Sequence, residues 1–260
     1  MPEPEPASSP GAITTDEPFE GQPEGQDMTI LEHLEELRSR LLKAVLAIIV
    51  TTSISAVGAQ ESIGFLARPI GGIHNLQATE VTEPIGVYMR VALLGGVILA
   101  MPVIVYQLLM FIVPGLTSKE KRWVYLAVPF ASLLFVAGIA FAYYVMLPSA
   151  INFLVSNVIP GIDNRPKVSN YVSFVTNLMF WIGVSFETPL LIFVLAKLNI
   201  VTASQLARQW RIAVVVIAII AAVVTPTVDP VNMSILMVPL FLLYWLSVFL
   251  AWLATRGQKT

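Results

Sequence analysis

The sequence contains no cysteine and only two histidines among its 260 residues. The absence of cysteine excludes disulfide bonds, thiolate metal sites and cysteine nucleophiles. His33 lies near the start of the first predicted helix and His74 lies in a connector, so we expect neither at membrane depth. The short motifs of serine hydrolases, zinc proteases and phosphate-binding loops are also missing. We therefore predict that the protein is not an enzyme and holds no metal or cofactor.

Charge is also scarce, because charged residues make up 12% of the chain and hydrophobic residues 56%. A water-soluble domain of this length could not keep so much apolar surface away from water. The composition therefore predicts an integral membrane protein. Residues 1–27 are an exception, since they carry seven acidic residues and six prolines but no lysine or arginine. We expect this segment to form a disordered tail.

Six apolar runs meet or approach the roughly 20 residues that a helix needs to cross a hydrocarbon core of about 30 Å. Their approximate bounds are 41–59, 85–113, 123–147, 171–196, 212–224 and 231–254. We predict an all-α membrane domain of about six transmembrane helices over 28–255, with a short cytoplasmic tail at 256–260. The fifth run is too short to span comfortably. Either the bilayer thins there, or the helix begins earlier, at Trp210, and neighbouring protein covers its polar end.

The distribution of lysine and arginine predicts the orientation in the membrane. Three basic residues, Arg68, Arg165 and Lys167, lie on one side, and Arg90 enters the second helix. Eleven lie on the other side: Arg38, Arg40, Lys43, Lys119, Lys121, Arg122, Lys197, Arg208, Arg211, Arg256 and Lys259. The positive-inside rule then places both termini in the cytoplasm. We expect the two long outer connectors to pack as caps.

Two acidic residues fall at the predicted inner face. The segment 29–42 has the pattern of an amphipathic surface helix, and Glu36 and Arg40 lie one turn apart on it. By spacing alone this is an ordinary ion pair on a solvated helix face. Glu120 follows the second inner loop and fits a capping box at the start of the next helix. Because both carboxylates lie at one face, they could also bind a cationic peptide through charge-assisted hydrogen bonds.

Glu187 is the only acidic residue inside an apolar run, and burying it in a bilayer costs about 2.5 to 3.5 kcal/mol. It should therefore face protein or water rather than lipid. One explanation is a polar docking point for a partner, and another is a structural acid hydrogen-bonded by Thr188 or a neighbouring helix. A third is the titrating group of an ion- or proton-coupled secondary transporter. The nearest other acid to an apolar run is Asp229, in the turn between the fifth and sixth runs.

Several separated motifs resemble those of one family. They are HLEELRSRL at 33–41, YQLLMFIVPGLTSKEKR from 106, FAYYVMLP from 141, YVSFVTNLMFWIGVSFETPL from 171 and the TPxxDP turn at 225–230. In these residues the chain resembles the TatC family, the multi-spanning receptor subunits of the twin-arginine protein translocase. The resemblance covers about 30–254. It implies six helices in a curved, glove-like wall in the plasma membrane.

The resemblance also implies roles for particular residues. Glu36 and Glu120 match the two acids that bind twin-arginine signal peptides, with Arg38, Arg40 and Phe111 beside them.

The implied partners are signal peptides of folded cargo, the small single-span subunits TatA and TatB or TatA alone, membrane lipid, and further copies of the chain in a receptor complex. Glu187 matches an intramembrane acid on the concave side, and Thr225 and Asp229 match polar positions after the fifth helix. We expect these three residues to serve partner docking. We expect no nucleic-acid partner.

Overall fold

The computed structural model describes residues 30–112, 118–156, 165–225 and 230–256. Within these ranges the chain is almost entirely helical. Its α-helices are α1 (Ile30–Val57), α2 (Ala59–Leu66), α3 (Glu83–Ile112), α4 (Ser118–Phe141), α5 (Leu147–Ser156), α6 (Val168–Phe186), α7 (Thr188–Lys197), α8 (Ala203–Arg208), α9 (Trp210–Val224) and α10 (Pro230–Arg256). The predicted tail at 1–27 lies outside the described residues. So does the predicted tail at 256–260 except for Arg256, which ends α10.

Five segments of the described chain are long and apolar enough to cross a membrane. They are Leu34–Val57, Glu83–Phe111, Leu126–Phe153, Val168–Lys197 and Pro230–Thr255. The third combines α4 and α5 through a π-helical turn, and the fourth combines α6 and α7. Helix α9 has 15 residues and so extends only about 22 Å, less than the roughly 30 Å of a hydrocarbon core. Five full-length spans and one short span agree with the predicted number of about six.

Helices α1 and α9 differ from their predicted bounds. Helix α1 continues without a break from Ile30 to Val57, so the described residues of segment 29–42 belong to the same helix as the first span. The apolar stripe of that segment is open, with Leu41 60% exposed. Helix α9 begins at Trp210, as the second explanation of the short run predicted. That explanation also required neighbouring protein to cover this end of the helix, but Trp210 is 43% exposed.

Helix α1 packs antiparallel along α3 at the edge of the bundle. The Thr51 hydroxyl donates a hydrogen bond to the carbonyl oxygen of Gly96 (2.8 Å), and Arg40 reaches Gln107 further along α3. A Cβ atom on Gly96 would lie 2.6 Å from the Cα atom of Thr52, so only glycine permits this approach. No residue in the most apolar window of α1 is buried. Helix α1 therefore contributes an edge rather than part of the core.

The core of the bundle lies between α4 and α6, with α3 and α10 packed around it. Phe135 of α4 and Ile182 of α6 are completely buried. A Cβ atom on Gly138 would lie 3.0 Å from the Cα atom of Gly183, which shows how closely these two helices approach. This packing puts α6, and the Glu187 that follows it, at the centre of the molecule.

The described parts of the two long connectors pack against each other, as expected. The Gln77 N–H donates to the carbonyl oxygen of Pro166 (3.1 Å), and the Val168 N–H donates to that of Gln77 (2.8 Å). The Tyr171 hydroxyl fixes α6 to the end of α2 through the carbonyl oxygen of Leu66 (2.8 Å). We call this side of the membrane, where α3 and α6 begin, the cap face. The opposite side, where α1 begins and α3 ends, is the α1 face.

Candidate functional site

At the α1 face, Glu36, Arg40 and Gln107 form a chain of polar contacts. Arg40 Nη2 lies 3.0 Å from Glu36 Oε1, and Arg40 Nη1 donates to Gln107 Oε1 (3.4 Å). The ion pair predicted from the four-residue spacing is therefore present. The second oxygen of Glu36, Oε2, is buried and has no hydrogen-bond partner among the described residues. A buried acceptor left in this state costs free energy that an added donor would recover.

Arg38 and Phe111 lie at the same face but outside this chain of contacts. Arg38 is exposed, and a two-residue step of about 200° turns it away from Glu36 around the helix. Phe111 lies one turn beyond Gln107 near the end of α3, and it is half-buried. The Arg40–Gln107 contact thus brings Phe111 to the level of Glu36, whereas Arg38 faces another direction.

Glu120 is the third residue of α4, and its side chain lies outside the described residues. Residues 113–117, which precede α4, also lie outside them. Because α3 ends at Ile112 and α4 begins at Ser118, the start of α4 returns to the α1 face. The backbone of Glu120 is therefore at the same membrane face as Glu36.

Glu187 lies at the junction of α6 and α7, and only 6% of its surface is exposed. Both carboxylate oxygens are buried, and no described residue donates a hydrogen bond to either of them. Thr188 does not do so, because its hydroxyl donates to the carbonyl oxygen of Ser185 (2.7 Å). The explanation of Glu187 as a structural acid bonded by Thr188 is therefore wrong. An acid at membrane depth remains without a described partner.

Thr225 follows α9 and is 5% exposed, with its hydroxyl donating to the carbonyl oxygen of Ala221 (2.6 Å). No hydrogen bond joins it to Glu187 within the described chain. Asp229, the third residue of this predicted set, lies outside the described residues. The structure therefore does not bring these three residues into one described cluster.

A cavity of about 270 Å³ opens between α7, α9 and α10. Ser185 and Thr188, which flank Glu187 in the chain, contribute to its lining together with Gln209 and Tyr244. The remaining lining residues are apolar. Glu187 itself does not line this cavity, so the cavity lies beside this part of the chain and not around the Glu187 carboxylate.

Glu83 is a polar residue that the sequence did not single out. It is 7% exposed, and its Oε2 accepts a hydrogen bond from the Thr79 N–H (2.8 Å) and another from the Glu80 N–H (3.3 Å). Its Oε1 accepts one from the Ser169 N–H (2.8 Å), which joins the start of α3 to the start of α6. The sequence does show that Glu83 falls at the start of a predicted helix, where an acid is favourable. It gives no sign of the long-range contact with Ser169.

Two amides were also missed. Gln107 interrupts the apolar run of α3, and Asn232 lies just beyond the TPxxDP turn. Asn232 is 1% exposed, and its Oδ1 accepts a hydrogen bond from the Ser149 hydroxyl (2.6 Å), which links α10 to α5. Among the described residues, no group of three or more histidine, aspartate or glutamate side chains could hold a metal ion.

Residues 32–239 match the family model described as Sec-independent protein translocase protein (TatC). This chain belongs to the TatC family. The Aquifex aeolicus Sec-independent protein translocase protein TatC is 35% identical over 89% of this chain and 98% of its own length. The chloroplastic TATC protein of Arabidopsis thaliana is 37% identical over 85% of this chain and 66% of its own length.

A solved structure agrees with this TatC assignment. The crystal structure of a twin-arginine translocase receptor, TatC, aligns with a TM-score of 0.72 at 36% identity, covering 86% of this chain and 100% of the other. The predicted all-α membrane fold is therefore confirmed, and so is the family resemblance. As a TatC protein, the chain is a multi-pass component of protein translocation, which decides against the ion-coupled secondary transporter.

Proposed function

We propose that this TatC-family protein is the receptor that binds twin-arginine signal peptides at the α1 face, through Glu36 and Glu120. The observation that carries the proposal is the half-satisfied carboxylate of Glu36. One of its oxygens already accepts hydrogen bonds from a guanidinium, that of Arg40. The other is a buried acceptor that a second guanidinium, brought by a peptide, would satisfy.

The chemistry of this acceptor favours arginine over lysine in the peptide. A guanidinium offers several N–H donors in a fixed plane, so it can form paired hydrogen bonds with a carboxylate. A lysine ammonium is a point charge and cannot reproduce that geometry. Two carboxylates at one face, Glu36 and Glu120, would then match two consecutive arginines.

We assign supporting roles to the neighbouring residues. Arg40 and Gln107 hold Glu36 in position through the contacts at 3.0 and 3.4 Å. Phe111 offers an aromatic ring on which a peptide guanidinium can stack. Arg38 faces away from Glu36, so it suits a contact with another part of the peptide or with lipid phosphate.

In the second part of the proposal, small single-span subunits, TatA and TatB or TatA alone, dock beside Glu187, with Thr225 and Asp229 as further polar contacts. The buried Glu187 carboxylate, to which no described residue donates a hydrogen bond, supports this role. The cavity of about 270 Å³ lined by Ser185 and Thr188 offers a further, largely apolar surface on the same part of the chain. The outward side of α9 is also apolar and open, with Val215 and Ile219 each more than half exposed. The protein then acts by binding and recruitment in a self-associated receptor complex, without a chemical step of its own.

Peptide binding tests the first part. We expect Glu36→Gln and Glu120→Gln each to weaken the binding of a fluorescent twin-arginine peptide by roughly tenfold, since each loses a charge-assisted hydrogen bond. Fluorescence anisotropy with the purified protein measures this. Glu35→Gln, at an exposed neighbouring position, is the matched control and should bind normally. Unchanged affinity in both folded variants would remove the proposed receptor site.

Chemical labelling tests the proposed orientation, with both termini in the cytoplasm and the cap face outside the plasma membrane. The chain has no cysteine, so single cysteines can be introduced without background. In intact cells, an impermeant thiol reagent should label His74→Cys, in the cap-face connector, but not Ser204→Cys, at the start of α8. Both positions are exposed. The reverse labelling pattern would show that the α1 face, and with it the proposed peptide site, lies outside the cell.

A further inference from the structure

Arg90 lies within the second membrane span, and the proposed function makes no use of it. It follows Glu83 by seven residues, which places it about 10 Å along α3 from the cap face. Its side chain is exposed and makes no hydrogen bond or ion pair with any described residue. An arginine at such a position normally has a counter-charge or reaches the membrane interface.

Arg90 lines a groove of about 380 Å³ between α3 and α6. This volume falls within the range of small-ligand sites, about 300 to 1,000 Å³. The residues that line the groove form a polar set, Arg90, Ser173, Thr176 and Asn177, and an apolar set, Leu93, Leu94, Val97 and Phe180.

The two sets occupy different depths. Both α3 and α6 begin at the cap face, so Arg90 and Ser173 lie nearer to that face, whereas Val97 and Phe180 lie deeper. Asn177 is exposed, and its amide has no hydrogen-bond partner among the described residues. The groove therefore has a cationic, polar mouth and an apolar floor. This arrangement matches an amphiphile with an anionic head and a hydrocarbon tail.

The nearest acid on α3, Glu83, does not compete for Arg90. Its oxygens accept hydrogen bonds from the N–H groups of Thr79, Glu80 and Ser169. The guanidinium is therefore open to a ligand from the membrane. A phosphate diester suits it, because arginine can bind two phosphate oxygens at once.

We infer that this groove binds an anionic phospholipid from the leaflet at the cap face, with the phosphate at Arg90 and Asn177 and an acyl chain along Leu94 and Val97. On the proposed orientation this is the outer leaflet. The bound lipid would fill the space between α3 and α6 at the level where their polar side chains meet.

Lipid titration tests the inference. The delipidated protein is titrated with phosphatidylglycerol or phosphatidylcholine, and bound lipid is counted by native mass spectrometry. We expect the wild type to prefer phosphatidylglycerol, and Arg90→Gln to weaken that binding roughly tenfold. Phosphatidylcholine, whose choline group offsets the phosphate charge, should lose less, so the preference between the two lipids should shrink. Arg90→Lys should keep most of the preference. Arg68→Gln is the matched control, because Arg68 lies in the cap and stacks over the Phe65 ring at 5.2 Å.

A second variant tests the inference independently, in case Arg90→Gln does not fold. Asn177→Leu removes the amide that would donate to the phosphate but keeps the Arg90 charge, so it should weaken phosphatidylglycerol binding by only roughly threefold. Equal binding of the two lipids by the wild type, or an unchanged preference in folded Arg90→Gln, would overturn the inference. Loss of crosslinking to a single-span partner in Arg90→Gln, with lipid binding intact, would instead make the groove a protein-docking site. Twin-arginine peptide binding should stay normal in Arg90→Gln, which separates this result from failure of the receptor proposal.

Discussion

Glu83 and Glu187 are both almost completely buried, at 7% and 6% exposure, but their surroundings differ. Three backbone N–H groups donate to the Glu83 carboxylate, and one of them comes from a different helix. No described residue donates to Glu187. The fold of the single chain thus explains the burial of Glu83. The described residues give no such explanation for the burial of Glu187, which supports a role for that acid in contacts with another molecule.

The positions of the two acids strengthen the contrast. Glu83 begins α3 at the cap face, where free N–H groups and the positive end of the helix dipole favour a carboxylate. Glu187 lies between α6 and α7 inside a membrane span, where an acid carries a cost of a few kcal/mol. An acid placed like Glu83 stabilises the fold, whereas an acid placed like Glu187 is retained although its burial costs free energy.

The largest expected effect is that of Glu83→Ala. The substitution leaves three N–H groups without their acceptor, so the free energy of unfolding should fall by about 3 kcal/mol. Thermal unfolding in detergent measures the change. Glu61→Ala, at an exposed acid of the neighbouring α2, is the control and should unfold as the wild type does. Equal stability of both variants would show that the Glu83 contacts contribute little.

Glu187→Leu should change stability in the opposite direction. Removing an unsatisfied buried carboxylate should raise the free energy of unfolding by about 1 kcal/mol, while photocrosslinking to single-span subunits is lost. Glu187→Gln keeps a polar side chain and should retain substantial crosslinking. Twin-arginine peptide binding, at the distant α1 face, should stay near that of the wild type in both variants. A marked loss of stability in Glu187→Leu would make Glu187 a structural acid like Glu83.

The smallest expected effect concerns the ion pair between Lys167 and Glu80, 2.7 Å apart in the cap. The hydrogen bond to Glu80 raises the pKa of Lys167 above its ordinary value. The pair therefore contributes its full stability below pH 10.5, the ordinary value, and loses it as pH rises through the raised pKa. Exposed pairs contribute little, so Lys167→Met should shift the unfolding temperature only slightly. A shift as large as that of Glu83→Ala would contradict this ranking.

Local spacing explains what the sequence could predict. The apolar runs predicted the spans, the four-residue step predicted the Glu36–Arg40 pair, and the isolation of Glu187 singled it out. Each of these predictions depends only on residues that are close to one another along a single helix. The contact of Arg40 with Gln107 joins residues 67 positions apart, and that of Glu83 with Ser169 joins residues 86 apart. Such contacts depend on how helices pack, which one sequence does not specify.

Segment 29–42 also shows that local spacing predicts a helix better than it predicts the surroundings of that helix. Its polar residues suggested a surface helix, because an amphipathic pattern is typical of one. The structure shows that the described residues of this segment continue without a break into the first span, with Leu34 and Leu37 exposed. The polar pattern therefore identified the helix but not its continuity with the first span.

The edge position of α1 has a consequence for biosynthesis. Helix α1 leaves the ribosome before the other described spans, and α3, the helix that it packs along, begins 26 residues after α1 ends. No residue in its most apolar window needs protein to cover it. Helix α1 can therefore enter the bilayer as an independent helix, and α3 joins it later through the Gly96 contact. A nascent chain stopped after α2 should already be anchored in the membrane.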